Sequence, residues 1–138
     1  MATWKHVTTY LARELRAQPI DKARLAIELP GASEGAGAAG AAPISLVAVH
    51  ASGEDASAEQ VILRVVVGKA ADLDMPSALA VAGTSSRGGL VAAGDTVLLT
   101  HSFLLAPLTA QEAQGTAAVS IAHLAGVLEQ IRAAQPAG

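Results

Sequence analysis

Trp4, Val7, Leu11 and Leu15 fall at steps of three, four and four, with Lys5, Arg13, Glu14 and Arg16 on the other side. That spacing predicts an amphipathic helix over residues 3–17. Thr3 is placed to cap its start, and Pro19 lies just past its end. From Lys22 to Leu29 the period changes to two. Ala23, Leu25, Ile27 and Leu29 alternate with Lys22, Arg24, Ala26 and Glu28, as in a strand with one buried face, and Pro30-Gly31 ends it. Ile44 to Ala51 and Val61 to Val67 are strands of a different kind. They are rich in β-branched residues and apolar on both faces, with His50 and Arg64 as the exceptions. A strand of that sort sits in a sheet covered on both sides, or it faces a partner.

After Gly68 the period changes again. Asp72-Leu73-Asp74-Met75-Pro76 has the acidic residues and the proline that favour a helix start, and Ser77 to Gly83 predicts a short helix of small residues. Gly88 to Ala93 and Thr96 to Leu105 are two further strands. Gly94-Asp95 between them suits a type II′ hairpin turn, with glycine first. Thr109-Ala110-Gln111-Glu112 is a capping box. Behind it Ala113, Ala117, Ile121, Leu124, Leu128 and Ile131 form a stripe that carries a helix to about Ala134. The order α-β-β-β-α-β-β-α predicts an α+β fold, a five-stranded, mostly antiparallel sheet flanked by helices.

Composition narrows the function more than the fold. The chain has 138 residues, a length that predicts one domain over residues 1–138, with a flexible Gly/Ala loop at 31–42 and a second polar break at 52–58. Hydrophobic residues make up 51% and charged residues 15%, which argues against disorder. A formal net charge of −3 gives no basic face for nucleic acid. There are no cysteines, so disulfides and thiolate chemistry are excluded. The start, Met1-Ala2-Thr3-Trp4-Lys5-His6, lacks the basic and apolar regions of a secretory signal, and no apolar run approaches the ~20 residues of a membrane span. A cytoplasmic protein that contacts neither membrane nor nucleic acid is the expectation.

Chemistry-bearing motifs are sparse. No two of His6, His50, His101 and His123 stand at metal-ligand spacing, so no metal is expected. His50 and His101 are candidate neighbours across the sheet, either as ordinary strand histidines or as an acid and base. His123 suits a boundary position on the last helix. Gly35, Gly37 and Gly40 spell G-x-G-x-x-G, but no strand leads into them and no helix starts cleanly after them, so no cofactor is expected. Ser85-Ser86-Arg87-Gly88-Gly89 suits either an anion or a plain helix-to-strand loop. Asp72 and Asp74 suit either a cation or an acidic helix start. The serines lack a nucleophile elbow. What stands out instead is apolar surface. So few charges and strands apolar on both sides predict an exposed patch of the kind that marks partner sites.

The segment from Val61 to Ile131 carries a resemblance. It runs Val-Ile-Leu-Arg-Val-Val-Val-Gly, a short helix, Gly-Asp-Thr-Val-Leu-Leu-Thr, Leu-Leu-Ala-Pro-Leu-Thr-Ala-Gln-Glu and a long helix. With the first helix and strands before it, this order resembles the type III secretion chaperone-like fold shared by class I secretion chaperones (CesT-like) and YbjN-like proteins. The resemblance implies a homodimer with the middle helix and neighbouring strands at its interface. It also implies no enzymatic activity and a role in binding an unfolded or extended protein segment.

Met75, Leu79, Val81 and Val65 are then the expected dimer interface. Leu25, Ile27 and Leu29 are the expected partner-binding residues, on a strand at or near a sheet edge. Two other readings stay open. One is a small ligand-binding or regulatory domain with an apolar pocket. The other is an enzyme using His50 and His101 as acid and base.

Overall fold

In a computed structural model of the chain, residues 1–31, 42–52, 59–85 and 88–136 are described. Most of the Gly/Ala loop, with Gly35, Gly37 and Gly40, lies outside them. So do residues 53–58, Ser86, Arg87 and the last two residues. Helix α1 (Trp4–Leu15) leads into strands β1 (Gln18–Asp21), β2 (Arg24–Leu29), β3 (Ile44–Ala51) and β4 (Gln60–Lys69). A single 3₁₀ turn precedes α2 (Met75–Gly83), then come β5 (Gly89–Ala93), β6 (Thr96–Leu104) and the long α3 (Ala110–Ala134). The strands form one sheet in the order β1-β2-β3-β4-β6-β5, antiparallel throughout.

The α+β class and the order of helices and longer strands agree with the sequence pattern. The sixth strand is the correction. β1 is four residues long and exposed along its whole length, so it has no buried face and leaves no alternation to read. α1 stops earlier than the periodicity suggests. Arg16 takes a left-handed conformation (φ 55°, ψ 36°), and the next amide, Ala17 N–H, turns back to the Leu11 carbonyl at 3.2 Å. α2 starts two residues earlier than expected. Asp74 is its N-cap, accepting the Ser77 amide at 3.3 Å, and Pro76 follows in the first turn, where its missing N–H costs no hydrogen bond.

The core lies between the helices and one face of the sheet. Leu25, Ile27, Leu46, Leu63, Val65 and Leu99 point into it. α3 crosses β4 and β6, α1 lies against β2 and α3, and α2 packs on α3 and β5. Every residue of the stripe from Ala113 to Ile131 is buried. The capping box forms as its residue types dictate. Thr109 Oγ1 accepts the Glu112 amide at 3.1 Å, and Glu112 Oε1 accepts the Thr109 amide at 2.9 Å.

Two glycines hold β5 and β6 in place beneath α3. Gly94 has φ 65° while Asp95 is not left-handed, the pattern of a type II′ turn. Gly88 has φ 82°, and a Cβ there would stand 2.8 Å from the Thr100 carbonyl oxygen and 2.9 Å from Leu124 Cδ2, so only glycine fits.

Candidate binding surfaces

The face of the sheet turned away from the helices has no cover among the described residues. Register places Arg24, Val49, Ile62 and Ser102 in one cross-strand row on it, and Ala26, Val47, Arg64 and Thr100 in the next. These are the outer faces of the strands that the sequence shows as apolar on both sides. Val47, Val49, Ile62 and Leu98 are half-buried only by one another and their neighbours, while Val66 (39%), Val91 (43%) and Leu104 (49%) are exposed. Arg64 stands near the middle of this face and Glu28 towards one side, and neither makes a hydrogen bond or ion pair among the described residues. Arg24 is different. Asp21 Oδ2 binds its guanidinium at 2.8 Å, and that contact, with the Ala23 amide on Oδ1, holds the Asp21 carboxyl below its ordinary range.

The two edges of the sheet differ in construction. At one end, β1 carries Pro19, a register irregularity between Pro19 and Asp21, and the Asp21–Arg24 pair. Short length, proline, charge and bulges are the features that blunt an edge against stray pairing. β1 covers β2 only as far as Ala26. Beyond it lies a notch of about 470 Å³ lined by Leu15, Arg16, Gln18, Ile27 and Glu28 among others. At the opposite end, β5 reads Gly-Leu-Val-Ala-Ala, with neither a charge nor a proline, and it pairs with β6 without a bulge. The two-residue turn makes Ala93 and Thr96 a hydrogen-bonded pair. Leu90 and Ala92, on the alternate positions, therefore aim their N–H and C=O groups outwards.

The histidines do not assemble into an acid–base pair. His50 lies opposite Val61 and His101 opposite Leu63, with β4 between them. That puts them two strands and one row apart, roughly 12 Å by strand geometry. His50 instead stacks on Trp4, with ring centroids 5.4 Å apart and planes 8° from parallel, and its Nε2 stands 3.8 Å from Glu59 Oε2. Trp4 Nε1 donates to the Lys22 carbonyl at 2.9 Å, so this stack fastens α1 to the β2–β3 end of the sheet.

His123 has a partner that sequence spacing did not suggest. Ser85 Oγ and His123 Nε2 are 2.7 Å apart, beside a shallow concavity of about 380 Å³. Among the described residues no carboxylate bonds the imidazole, the third member that a nucleophile–base pair requires. The contact ties the end of α2 to α3. Asp74 is likewise occupied as a cap, and its backbone is clasped by the Gln135 side chain at 2.6 Å. Among the described residues no three His, Asp or Glu side chains gather as a metal site would, and no helix is long and apolar enough to cross a membrane.

The residues expected to bind a partner sit apart from these surfaces. Leu25 (6% exposed) and Ile27 (2%) are core residues beneath α1, and Leu29 is half-buried beside them. Their strand is near the edge, next to β1, which pairs outside its first half. Of the expected interface, Val65 is fully buried and faces the helices, so it reaches no partner in this fold. Val81 packs against the core and Met75 is half-buried, which leaves Leu79 (55% exposed) as the outward apolar side chain of the four. Alternation marks which residues share a face, but an apolar face looks the same whether a helix or another chain covers it. No family model matches the chain, and neither a curated protein nor a solved structure matches it.

Proposed function

We propose that this chain is a non-catalytic protein-binding module that takes up an extended polypeptide segment as an added strand along β5. The observation that carries this reading is the contrast between the edges. β1 is blunted by proline, charge and irregular register, whereas β5, though only five residues long, offers outward backbone groups without proline, charge or bulge. Strand addition draws affinity from main-chain hydrogen bonds and specificity from alternate side chains. Val91 on one side and Leu90 on the other are the apolar contacts an added strand meets. The resemblance in element order to secretion chaperones and YbjN-like proteins agrees in kind, since it implies uptake of an extended segment. A small-ligand site has less support, because the concavities are surface notches rather than an enclosed apolar pocket.

Hydrogen exchange in the presence of a permanently unfolded probe, reduced and carboxymethylated α-lactalbumin, tests the placement. The Leu90 and Ala92 amides slow on addition of the probe, while 18–21 and 27–29 do not. Ala92→Pro removes one outward donor without touching the β6 ladder. It weakens binding by about tenfold, equivalent to one or two main-chain hydrogen bonds. Protection at 27–29 instead assigns the segment to the notch beside β1, and no protection anywhere overturns the reading.

A further inference from the structure

The open face of the sheet is a separate surface from the β5 edge, and its size and charges point to one occupant. We infer that it packs against the same face of a second copy of this chain, sheet on sheet.

The area of the face suits a dimer. β2, β3, β4, β6 and β5 hold 6, 8, 10, 9 and 5 residues. At strand spacing and rise they present a face of roughly 24 Å by 25 Å, or about 600 Å² before side-chain relief is counted. Specific stable interfaces take from about 600 Å² to about 1,000 Å² from each partner, so this face stands at the lower end of what a dimer needs. Its centre is aliphatic, with Val47, Val49, Ile62 and Leu98. The Asp21–Arg24 pair and Lys69 lie at its rim. Apart from Arg64 near its middle, this is the apolar centre and polar rim of an ordinary protein interface.

The charges on the face suit a second copy as well. Arg64 near the middle of this face and Glu28 towards the side that β1 leaves uncovered carry opposite charges, and neither has a partner among the described residues. Glu28 pairs with Ser45, and Arg64 with Val47, so they are two strands and one row apart, roughly 12 Å by strand geometry. In a two-fold contact, if one residue of a copy meets a second residue of the other, the reverse contact also forms. An axis between the two sheets therefore sets Arg64 of each copy opposite Glu28 of the other, and both charges are paired twice over. A purely apolar partner, a lipid surface included, strands both charges unpaired in a dry contact, which opposes binding.

Light scattering and sedimentation equilibrium on the full chain test this. The wild type has twice the 13.8 kDa chain mass. Arg64→Glu and Glu28→Arg each weaken the dimer by tenfold or more, and the double variant R64E/E28R restores it. Both side chains are exposed, so circular dichroism shows a fold unchanged in all three. Ile62→Ser also shifts the chain towards monomer. A monomeric wild type overturns the inference, whatever else then binds the face. So does a dimer that ignores both single changes, or a double variant that fails to recover. None of these outcomes bears on whether β5 takes up a peptide.

Discussion

Ile62 and Leu63 are consecutive residues of β4 with opposite fates. Leu63 is fully buried beneath the helices, while Ile62 lies on the open face among Val49, Arg24 and Ser102. The same contrast runs through β3, where Leu46 and Ala48 are core and Val47 and Val49 are not. Nothing in the side chains separates the two sets, since both are aliphatic. Position relative to α1 and α3 separates them. One face owes its burial to this chain's own helices, so its residues hold the monomer together. The other face retains apolar surface that the chain leaves open among its described residues, and such surface serves association.

The sharpest way to break that contrast is truncation on both sides of β4. Leu63→Ala leaves a cavity under α3 and is expected to cost 2–5 kcal/mol in urea unfolding, an effect on the order of those seen for buried leucines. Ile62→Ala, measured at concentrations low enough to keep the chain monomeric, costs about 1 kcal/mol or less, because the side chain is half-exposed already. Equal losses would show that both faces are covered in the monomer and would remove the basis for a sheet-on-sheet dimer.

A smaller effect is expected at the start of the cover itself. Thr109→Ala removes the hydroxyl that receives the Glu112 amide and leaves a donor of the first turn unpaired. The loss is about 1 kcal/mol, read as a lower denaturation midpoint, with protection falling first at the α3 N-terminus. A midpoint that does not move would place the beginning of the covering helix elsewhere.

The smallest effect is a pH dependence. Glu112 accepts the Thr109 amide, with its hydroxyl close by, and these contacts hold its carboxyl below the ordinary range. A carboxyl lowered by folding contributes stability above its unfolded value of ~4.3, and that contribution fades as pH falls through the folded value. Between neutral pH and mildly acidic pH, Glu112→Gln should thus narrow the stability loss slightly relative to wild type. The Asp21 carboxyl at the rim of the open face is lowered in the same sense, by Arg24 and the Ala23 amide, so Asp21→Asn is expected to narrow the acid loss likewise.

Much of this molecule was legible from one dimension. α3 was, from cap to stripe, because a capping box and a 3.6-residue period are local signals that tertiary contacts do not alter. The β5–β6 turn was, because glycine before aspartate favours one hairpin geometry. β1 was not, because four exposed residues have no face to bury. The separation of His50 from His101 was not, because the placement of β4 between their strands is a matter of pairing order. The assignment of Leu25 and Ile27 to a partner failed for a related reason, since alternation reports a dry face without reporting what dries it.

The sequence by itself determined the three helices, five of the six strands, the Thr109 cap and the two-sided apolar character of β3 and β4, all of which follow from periodicity and backbone preference within a few residues. Only the tertiary structure decided that all three helices dock on the same side, that β5 rather than β2 forms an outer edge, and that Arg64 and Glu28 are left on a common open face. Those facts depend on which strands pair and where helices cross, and pairing between residues far apart in the chain leaves no local trace in the pattern of either one.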